Sequence, residues 1–250
     1  MAVAKQPSYD LARRTLPPPL LAALRHLSAG EDDGVMLVGG TALAGFYAGH
    51  RRSDDLDLFV RDSDTFDRLR RRVRSLADLG AEIRENHASP GFSRATAVLR
   101  GHEFTVDVVV DANLFQVGRA VSTGAIRVAT LETLLMTKAA TLVSRCSEKD
   151  LYDLWWMRTQ GLSLDPGELV RLGSQIDAGV EAESILIALS GVEPSRDACG
   201  FALPGGPNAA LILKRVVGLQ RDLQRALGDY LEQLPPPPLA RSLHQLKRIK

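Results

Sequence analysis

The first half of the chain consists of short apolar runs separated by amphipathic segments. Runs that are uniformly apolar, or that alternate with polar residues, predict β-strands at 35–38, 55–60, 92–99 and 103–110. Apolar residues at helical spacing predict helices at 17–28, 42–50 and 62–78. Thr41 is placed to cap the second helix, and Arg100, Gly101 and His102 join the last two strands as a hairpin.

From residue 126 onward, helical periodicity replaces the strand patterns. Apolar residues recur every three or four positions in five segments, 131–145, 148–161, 163–176, 181–191 and 211–234. We therefore predict an α/β domain over residues 1–125 and a helical domain over residues 126–250. Residues 235–250 form a proline spacer with a basic end, and we expect this tail to be poorly ordered.

Composition places the chain among ordinary globular proteins. It has 250 residues, of which 45% are hydrophobic and 24% charged, with a formal net charge of +1. The near-neutral charge indicates neither a nucleic-acid coat protein nor an acidic tail. Two cysteines, Cys146 and Cys199, show no metal-ligand spacing and no disulfide framework. The N-terminus lacks a signal-peptide core and no apolar run reaches about 18 residues, so we expect a cytoplasmic protein without a membrane partner.

A glycine turn follows the first predicted strand. Gly39, Gly40 and Thr41 connect this strand to the next helix. Backbone N–H groups at a helix N-terminus bind anions, and glycine lets a phosphate approach the backbone closely. The Thr41 hydroxyl adds a donor. The alternative interpretation is a tight strand–helix turn of the kind found in any α/β protein.

Three aspartates lie on the later strands. Asp55 and Asp57 are two residues apart on one strand, so they face the same side. Neighbouring carboxylates repel, and the pair requires a cation or a proton, unless both are simply solvated at the strand end. Asp107 lies in an otherwise apolar strand, where a carboxylate is costly unless paired or metal-bound. Asp111 ends that strand, and a turn role suits it better.

Together these motifs resemble the DNA polymerase beta nucleotidyltransferase superfamily, and more specifically the AbiEii/AbiGii-type toxin nucleotidyltransferases. The chain reads GGTALA at 39–44, RRSDDLDLF at 51–59 and KDLYDLW at 149–155, a match in order over about 120 residues. Many superfamily members carry serine where this chain has Thr41, and both residues supply a hydroxyl. The resemblance implies an α+β fold, with a nucleotidyltransferase-like mixed sheet flanked by helices and followed by a helical C-terminal part.

The resemblance also implies a set of site residues. Asp55, Asp57 and Asp107 would hold Mg²⁺, or alternatively Mn²⁺, which prefer oxygen ligands. The phosphates of a nucleoside triphosphate (NTP) would lie on Gly39, Gly40 and Thr41. Lys138 and an acid on the next helix, Asp150 or Asp153, would complete the active site. Further substrate-binding candidates are Arg52, Ser53 and Lys149.

Simpler interpretations exist for the helical segment. If the helix were continuous, Lys138, Lys149 and Asp153 would share one face with Arg145, and Asp150 would point elsewhere. Ser147 and Asp150 fit a capping box that starts a new helix. Lys149 and Asp153 fit an ordinary i,i+4 ion pair.

The function implied by the resemblance is transfer of a nucleoside monophosphate (NMP) to RNA, notably a tRNA 3′ end, by the toxin of a toxin–antitoxin pair with its cognate antitoxin. Arginine and lysine clusters suit phosphate contacts. They lie at Arg68, Arg70, Arg71, Arg72 and Arg74, and in the tail at Arg241, Lys247, Arg248 and Lys250. Two alternatives remain: modification of a small molecule such as an antibiotic, and a non-catalytic antitoxin or RNA-binding module.

Overall fold

The computed structural model describes residues 5–30 and 33–234. The tail and its four basic residues lie outside the described residues. The strands are β1 (Val35–Val38), β2 (Asp55–Val60), β3 (Glu82–Ser89), β4 (Phe92–Leu99), β5 (His102–Val110), β6 (Ala120–Thr123) and β7 (Ile126–Ala129). The longer helices of the first half are α1 (Tyr9–Thr15), α2 (Pro18–Leu27), α3 (Gly39–Leu43), α4 (Ser63–Arg74) and α5 (Ala112–Val117).

Five further helices make up the second half of the described chain. They are α6 (Leu131–Ser144), α7 (Glu148–Thr159), α8 (Pro166–Gly173), α9 (Ala182–Ser190) and α10 (Ala209–Gln233). The long helix α10 packs against α7, α8 and α9. The buried Gln220 amide of α10 donates to the carbonyls of Leu189 and Val192, which fixes α10 against the end of α9.

The seven strands form one mixed sheet in the order β3-β4-β5-β2-β1-β7-β6. Strand β2 pairs antiparallel with β1 and parallel with β5, and β7 pairs parallel with β1. The predicted α+β class, a mixed sheet followed by a helical part, is confirmed. Strand β7 extends the sheet beyond residue 125, because its apolar residues pair with β1, and the helices begin at Leu131. The division into two domains stays a prediction.

Alternation along β2 separates the two faces of the sheet. Leu56 and Leu58 are at most 1% exposed and point into the core. Leu58 lines a small internal cavity together with Leu27 of α2 and Arg72 of α4, so these helices cover that face. Asp55 and Asp57, one residue out of phase, therefore face the opposite side.

The arginine cluster of α4 consequently lies on the face away from these aspartates. Arg70 and Arg74 both bond to Glu85, and Arg72 donates to the carbonyl of Leu27. The apolar stripe of α4 packs inward, as the helical spacing predicts; it consists of Phe66, Leu69 and Val73, continued by Leu76. The arginines are its outer face and do not contribute to a cavity beside Asp57.

Several local details differ from the sequence prediction. Helix α3 begins directly at Gly39 with Val38 as the N-cap residue, so Thr41 lies inside the helix and does not cap it. A π-helical turn, Ala44–Ala48, follows α3 and ends at Gly49, whose φ of +61° is left-handed. Strand β3 was not predicted because it is a polar edge strand without alternation, exposed along most of its length.

Among the residues that the structure describes, no helix combines the length and apolar character needed to cross a membrane.

Candidate active site

A cavity of about 260 Å³ lies where the first turns of α3 and α7 and the C-terminal half of α6 meet strands β2, β4 and β5. We call it the central cavity. Its lining includes these predicted site residues: Gly40, Ser53, Asp55, Asp57, Asp107, Lys138, Lys149 and Asp150. It also includes residues that the sequence analysis did not single out as site residues: Arg51, Arg94, Thr105, Arg145 and Ser147. The fold thus brings both halves of the predicted site together.

The glycine turn packs directly against the aspartates. Gly39 has a φ of +66°, and a β-carbon at this position would lie 1.9 Å from Oδ2 of Asp57. A β-carbon on Gly40 would lie 2.5 Å from a guanidinium nitrogen of Arg51 and 2.9 Å from the Ser53 hydroxyl. A side chain at either position would therefore clash with these neighbours, and Gly40 itself lines the cavity.

Thr41 ties this turn to β2. Its side chain is fully buried. The hydroxyl donates to the backbone carbonyl of Asp55 at 2.5 Å and lies 3.0 Å from the Ser53 hydroxyl. This places the Thr41 hydroxyl within the protein instead of facing the cavity, where the sequence analysis expected a phosphate donor.

Three carboxylates lie side by side on β2 and β5. Asp57 is in register with Asp107, and Asp55 with Thr105, whose hydroxyl donates to the Asp55 carboxylate. Burial, with the nearby charges of Asp55 and Asp107, raises the pKa of Asp57 to about 6. The negative charge of the Asp57 carboxylate is therefore only partly stabilised by its surroundings.

The carboxylate of Asp107 is paired with a cationic side chain. Arg94 of β4 is in register with it, and its Nε lies 2.7 Å from Oδ1 while a terminal nitrogen bonds Oδ2. This two-point geometry uses both carboxylate oxygens. Pairing with an arginine thus offsets the free-energy cost of placing this carboxylate in an apolar strand.

A buried ion network lies behind the cavity. Asp153 has no exposed surface and accepts from Arg51 at 2.6 and 2.7 Å, from His50 at 2.8 Å and from Lys138 at 2.7 Å. Burial alone would raise the pKa of Asp153, but Arg51 and Lys138 hold it well below its usual range. Asp153 is therefore a permanent carboxylate that joins the loop after α3 to α6 and α7.

Both acids considered for the second helix contact Lys138. Its Nζ lies 2.7 Å from Asp150 and 2.7 Å from Asp153. The two helices are not continuous, because Ser147 and Asp150 form the predicted capping box and start α7 anew. That break turns Asp150 toward Lys138, contrary to the continuous-helix expectation. Asp150 lines the central cavity and Asp153 lies behind it.

Arg52 and Lys149 lie apart from their expected contacts. Arg52 is exposed and donates to the carbonyl of Gly200, while its neighbour Arg51 turns into the central cavity. Lys149 lines the mouth of the cavity, and Asp153 pairs with Arg51 and Lys138 instead of with Lys149. Arg51 and Arg52 lie in the irregular loop before β2, where the alternation of a strand does not apply. The sequence pattern therefore could not predict that Arg51, and not Arg52, lines the cavity.

Two of the additional residues could have been found from the sequence. Thr105 is two residues before Asp107 on the same strand and so shares its face. The two-residue turn at Arg100 and Gly101 pairs Leu99 with His102. Five residues before Leu99 is Arg94 and five residues after His102 is Asp107, so the same antiparallel register places these two opposite each other. Strand spacing gave no such signal for Arg51, although it is the first residue of the RRSDDLDLF run that carries the family resemblance.

The carboxylate oxygens beside the cavity are the candidate donors for a divalent cation. Among the described residues, no group of three His, Cys, Asp or Glu side chains stands ready to hold a metal ion. Asp55 and Asp57 nevertheless offer hard oxygen donors beside the cavity, and the raised pKa of Asp57 indicates unrelieved negative charge. These two residues fit Mg²⁺ or Mn²⁺. Asp107 joins them only if Arg94 releases it.

The charge of the cavity lining suits a polyanion. Its cationic side chains are Arg51, Arg94, Lys138, Arg145 and Lys149, and its carboxylates are Asp55, Asp57, Asp107 and Asp150. The acids cluster on the sheet and most of the cations on the side of the helices. A ligand with several phosphates and a bound cation matches this division.

Comparison with known proteins identifies relatives of the chain. The family model described as "Nucleotidyl transferase AbiEii toxin, Type IV TA system" matches residues 22–243. No curated protein matches the chain.

Solved structures with a similar fold include two proteins from Helicobacter pylori. A candidate nucleotidyltransferase shares 17% identity with a TM-score of 0.51, covering 86% of this chain and 99% of its own. JHP933 shares 17% identity with a TM-score of 0.50, covering 97% and 100%. MenT4, a nucleotidyltransferase toxin of Mycobacterium tuberculosis H37Rv, shares 17% identity with a TM-score of 0.47, covering 87% and 92%. The first two comparisons show a common fold.

The buried network yields a stability prediction. Asp153→Asn should lower the free energy of unfolding at pH 7 by about 3–5 kcal/mol, because it leaves buried cations without their carboxylate. Urea unfolding measures this. Asp222→Asn, which breaks an exposed pair with Arg158, is the control and should cost less than about 1 kcal/mol. Equal losses for both variants would contradict a structural role for Asp153.

The same carboxylate sets a pH dependence. The pKa of Asp153 is lower in the folded protein than in the unfolded chain. The carboxylate therefore stabilises the fold fully at pH values above its pKa in the unfolded chain, and this stabilisation is lost as the pH falls toward its pKa in the folded protein. The difference between wild type and Asp153→Asn should therefore shrink below about pH 4.

Asp57 should behave in the opposite way. Its raised pKa, about 6 against an ordinary 3.8, means that its charged form opposes folding at neutral pH. The full difference corresponds to about 3 kcal/mol, which the solvent contact of Asp57 reduces to about 1–2 kcal/mol. Asp57→Asn should raise the free energy of unfolding of the metal-free protein by that amount at pH 7.5 and by almost nothing at pH 4. Destabilisation at pH 7.5 would refute this charge assignment.

Proposed function

Because the chain belongs to the AbiEii family of nucleotidyl transferase toxins of type IV toxin–antitoxin systems, we propose that it transfers an NMP from an NTP to a hydroxyl of an RNA acceptor, such as a tRNA 3′ end. The observation that carries this proposal is the central cavity itself. There, the glycine turn, the Asp55–Asp57 pair and the cations of the α6–α7 segment face one another. These cations are Lys138, Arg145 and Lys149.

The triphosphate is positioned by the backbone and by cations. Gly40 borders the cavity without a side chain, so phosphate oxygens can reach the backbone at the start of α3. Lys138 lines the cavity with its charge fixed by Asp150 and Asp153. Lys149 and Arg145 at the mouth add exposed positive charge. These groups neutralise the phosphates and the pyrophosphate as it leaves.

Asp55 and Asp57 would hold Mg²⁺ or Mn²⁺, which neutralises phosphate oxygens and lowers the pKa of an acceptor hydroxyl when bound. Asp107 lies beside Asp57 on the neighbouring strand. Once Arg94 releases it, its carboxylate would accept the proton of that hydroxyl. The acceptor oxygen forms a bond to the α-phosphorus, the bond from that phosphorus to the β-phosphate oxygen breaks, and pyrophosphate leaves.

The charge of the cavity rim supports an RNA acceptor. A volume of about 260 Å³ is small even for a single drug-sized ligand, for which about 300 Å³ or more is usual. Once the phosphates occupy it, an acceptor can reach the site only from the open rim. The rim carries Arg94, Arg145 and Lys149, which suit the backbone phosphates of RNA. The arginines of α4 lie on the other face of the sheet and contribute nothing at this rim.

A transfer assay tests the proposal. The protein is incubated with Mg²⁺, total tRNA and each α-labelled NTP in turn. Wild type should place label in RNA, and Asp57→Asn should reduce the rate at least roughly 100-fold, since the variant keeps the shape of the site and removes its central charge. Thermal unfolding checks that the variant is folded.

Asp54→Asn is the matched control. Asp54 is the adjacent acid in the sequence, pairs with His102 at 3.3 Å and does not line the cavity. Its variant should keep wild-type transfer. Full activity of Asp57→Asn would overturn the assignment of the site. Label that enters small molecules but not RNA would favour the antibiotic-modifying alternative.

A further inference from the structure

Arg94 forms an ion pair with Asp107, the third carboxylate of the site, and the proposed transfer reaction does not explain this pair. It binds both oxygens of Asp107, one at 2.7 Å from Nε and the other through a terminal nitrogen. A ligand that needs an Asp107 oxygen must therefore compete with this guanidinium. Arg51 and Lys138, two further cations of the cavity lining, are fixed by buried aspartates instead.

The two partners differ in their freedom to move. The Arg94 side chain is 48% exposed, whereas the Asp107 side chain is 12% exposed. Arg94 can leave without opening the core, and Asp107 cannot follow it. The guanidinium also lies 5.8 Å from the ring centre of Phe92 on the same strand, a second contact that suits a displaced cation.

We propose that Arg94 neutralises Asp107 in the metal-free protein, as a resident cation, and is displaced when a divalent cation binds the three aspartates. The inference rests on the proposed function, because it adds Asp107 to the Asp55–Asp57 pair that is assigned there to the metal. It adds that, in the metal-free protein, the Arg94 side chain keeps Asp107 from completing the metal site. Once displaced, Arg94 faces the rim at which the acceptor arrives.

The test measures binding of Mn²⁺ alone, without nucleotide or RNA, through the EPR signal of the free ion. Arg94→Gln should bind Mn²⁺ at least about tenfold more tightly than wild type, since it frees both oxygens of Asp107. Arg94→Lys should lie between the two, because an ammonium cannot grip both oxygens at once. Thermal unfolding should show a larger stabilisation by Mn²⁺ for Arg94→Gln than for wild type.

Arg145→Gln separates displacement from simple charge. It removes the same charge from the same cavity, but Arg145 contacts Asp150 at 3.9 Å and not Asp107. Its gain in Mn²⁺ affinity should stay below about threefold. Equal gains for Arg145→Gln and Arg94→Gln would overturn the inference, as would an unchanged or weaker affinity in Arg94→Gln or no Mn²⁺ binding by any variant.

These results are distinguishable from those of the transfer assay. If Arg94→Gln gains no affinity while wild type labels RNA, the resident-cation role fails and the proposed function stands. If Arg94→Gln gains affinity while no NTP yields transfer to any acceptor, the cation role stands and the proposed function fails.

Discussion

The contact on which the site depends is the buried carboxylate of Asp153. A single charged side chain with no exposed surface receives Arg51 from the loop after α3 and Lys138 from α6. Removing such a charge from water is costly unless strong partners replace the water, and here several donors do so. Because those donors come from separate parts of the chain, the network fixes the helices against the sheet and sets Lys138 and Arg51 beside the central cavity.

The site is therefore built in two layers with different tasks. The rear layer, Asp153 with Arg51 and Lys138, stays charged and fixes positions. The front layer, Asp55 and Asp57, carries negative charge that the protein leaves partly unrelieved, as the raised pKa of Asp57 indicates. Such a division suits a site that binds a cation and polyphosphate, because the charges of the ligands then balance the charge that the protein leaves unpaired.

The sequence predicted much of the sheet and the common face of the two aspartates of β2. Regular alternation at 55–60 predicts strand β2 with its actual bounds, and the two-residue spacing of Asp55 and Asp57 gives their common face. What failed were local features set by tertiary contacts. Thr41 has the hydroxyl of a helix cap, yet its bond to β2 places it inside α3. Asp153 has the spacing of a surface ion pair, yet lies buried because a partner from residue 51 reaches it. No periodic pattern encodes such long-range partners.

A structure of the protein bound to Mn²⁺ and a non-hydrolysable NTP analogue tests the central claim most directly, because Mn²⁺ can be located by its anomalous scattering. The account predicts a manganese peak within coordination distance of Asp55 and Asp57, with the triphosphate between the backbone of Gly40 and the Lys138 ammonium. A triphosphate bound outside the central cavity, or a metal peak with no aspartate of β2 as ligand, would contradict it.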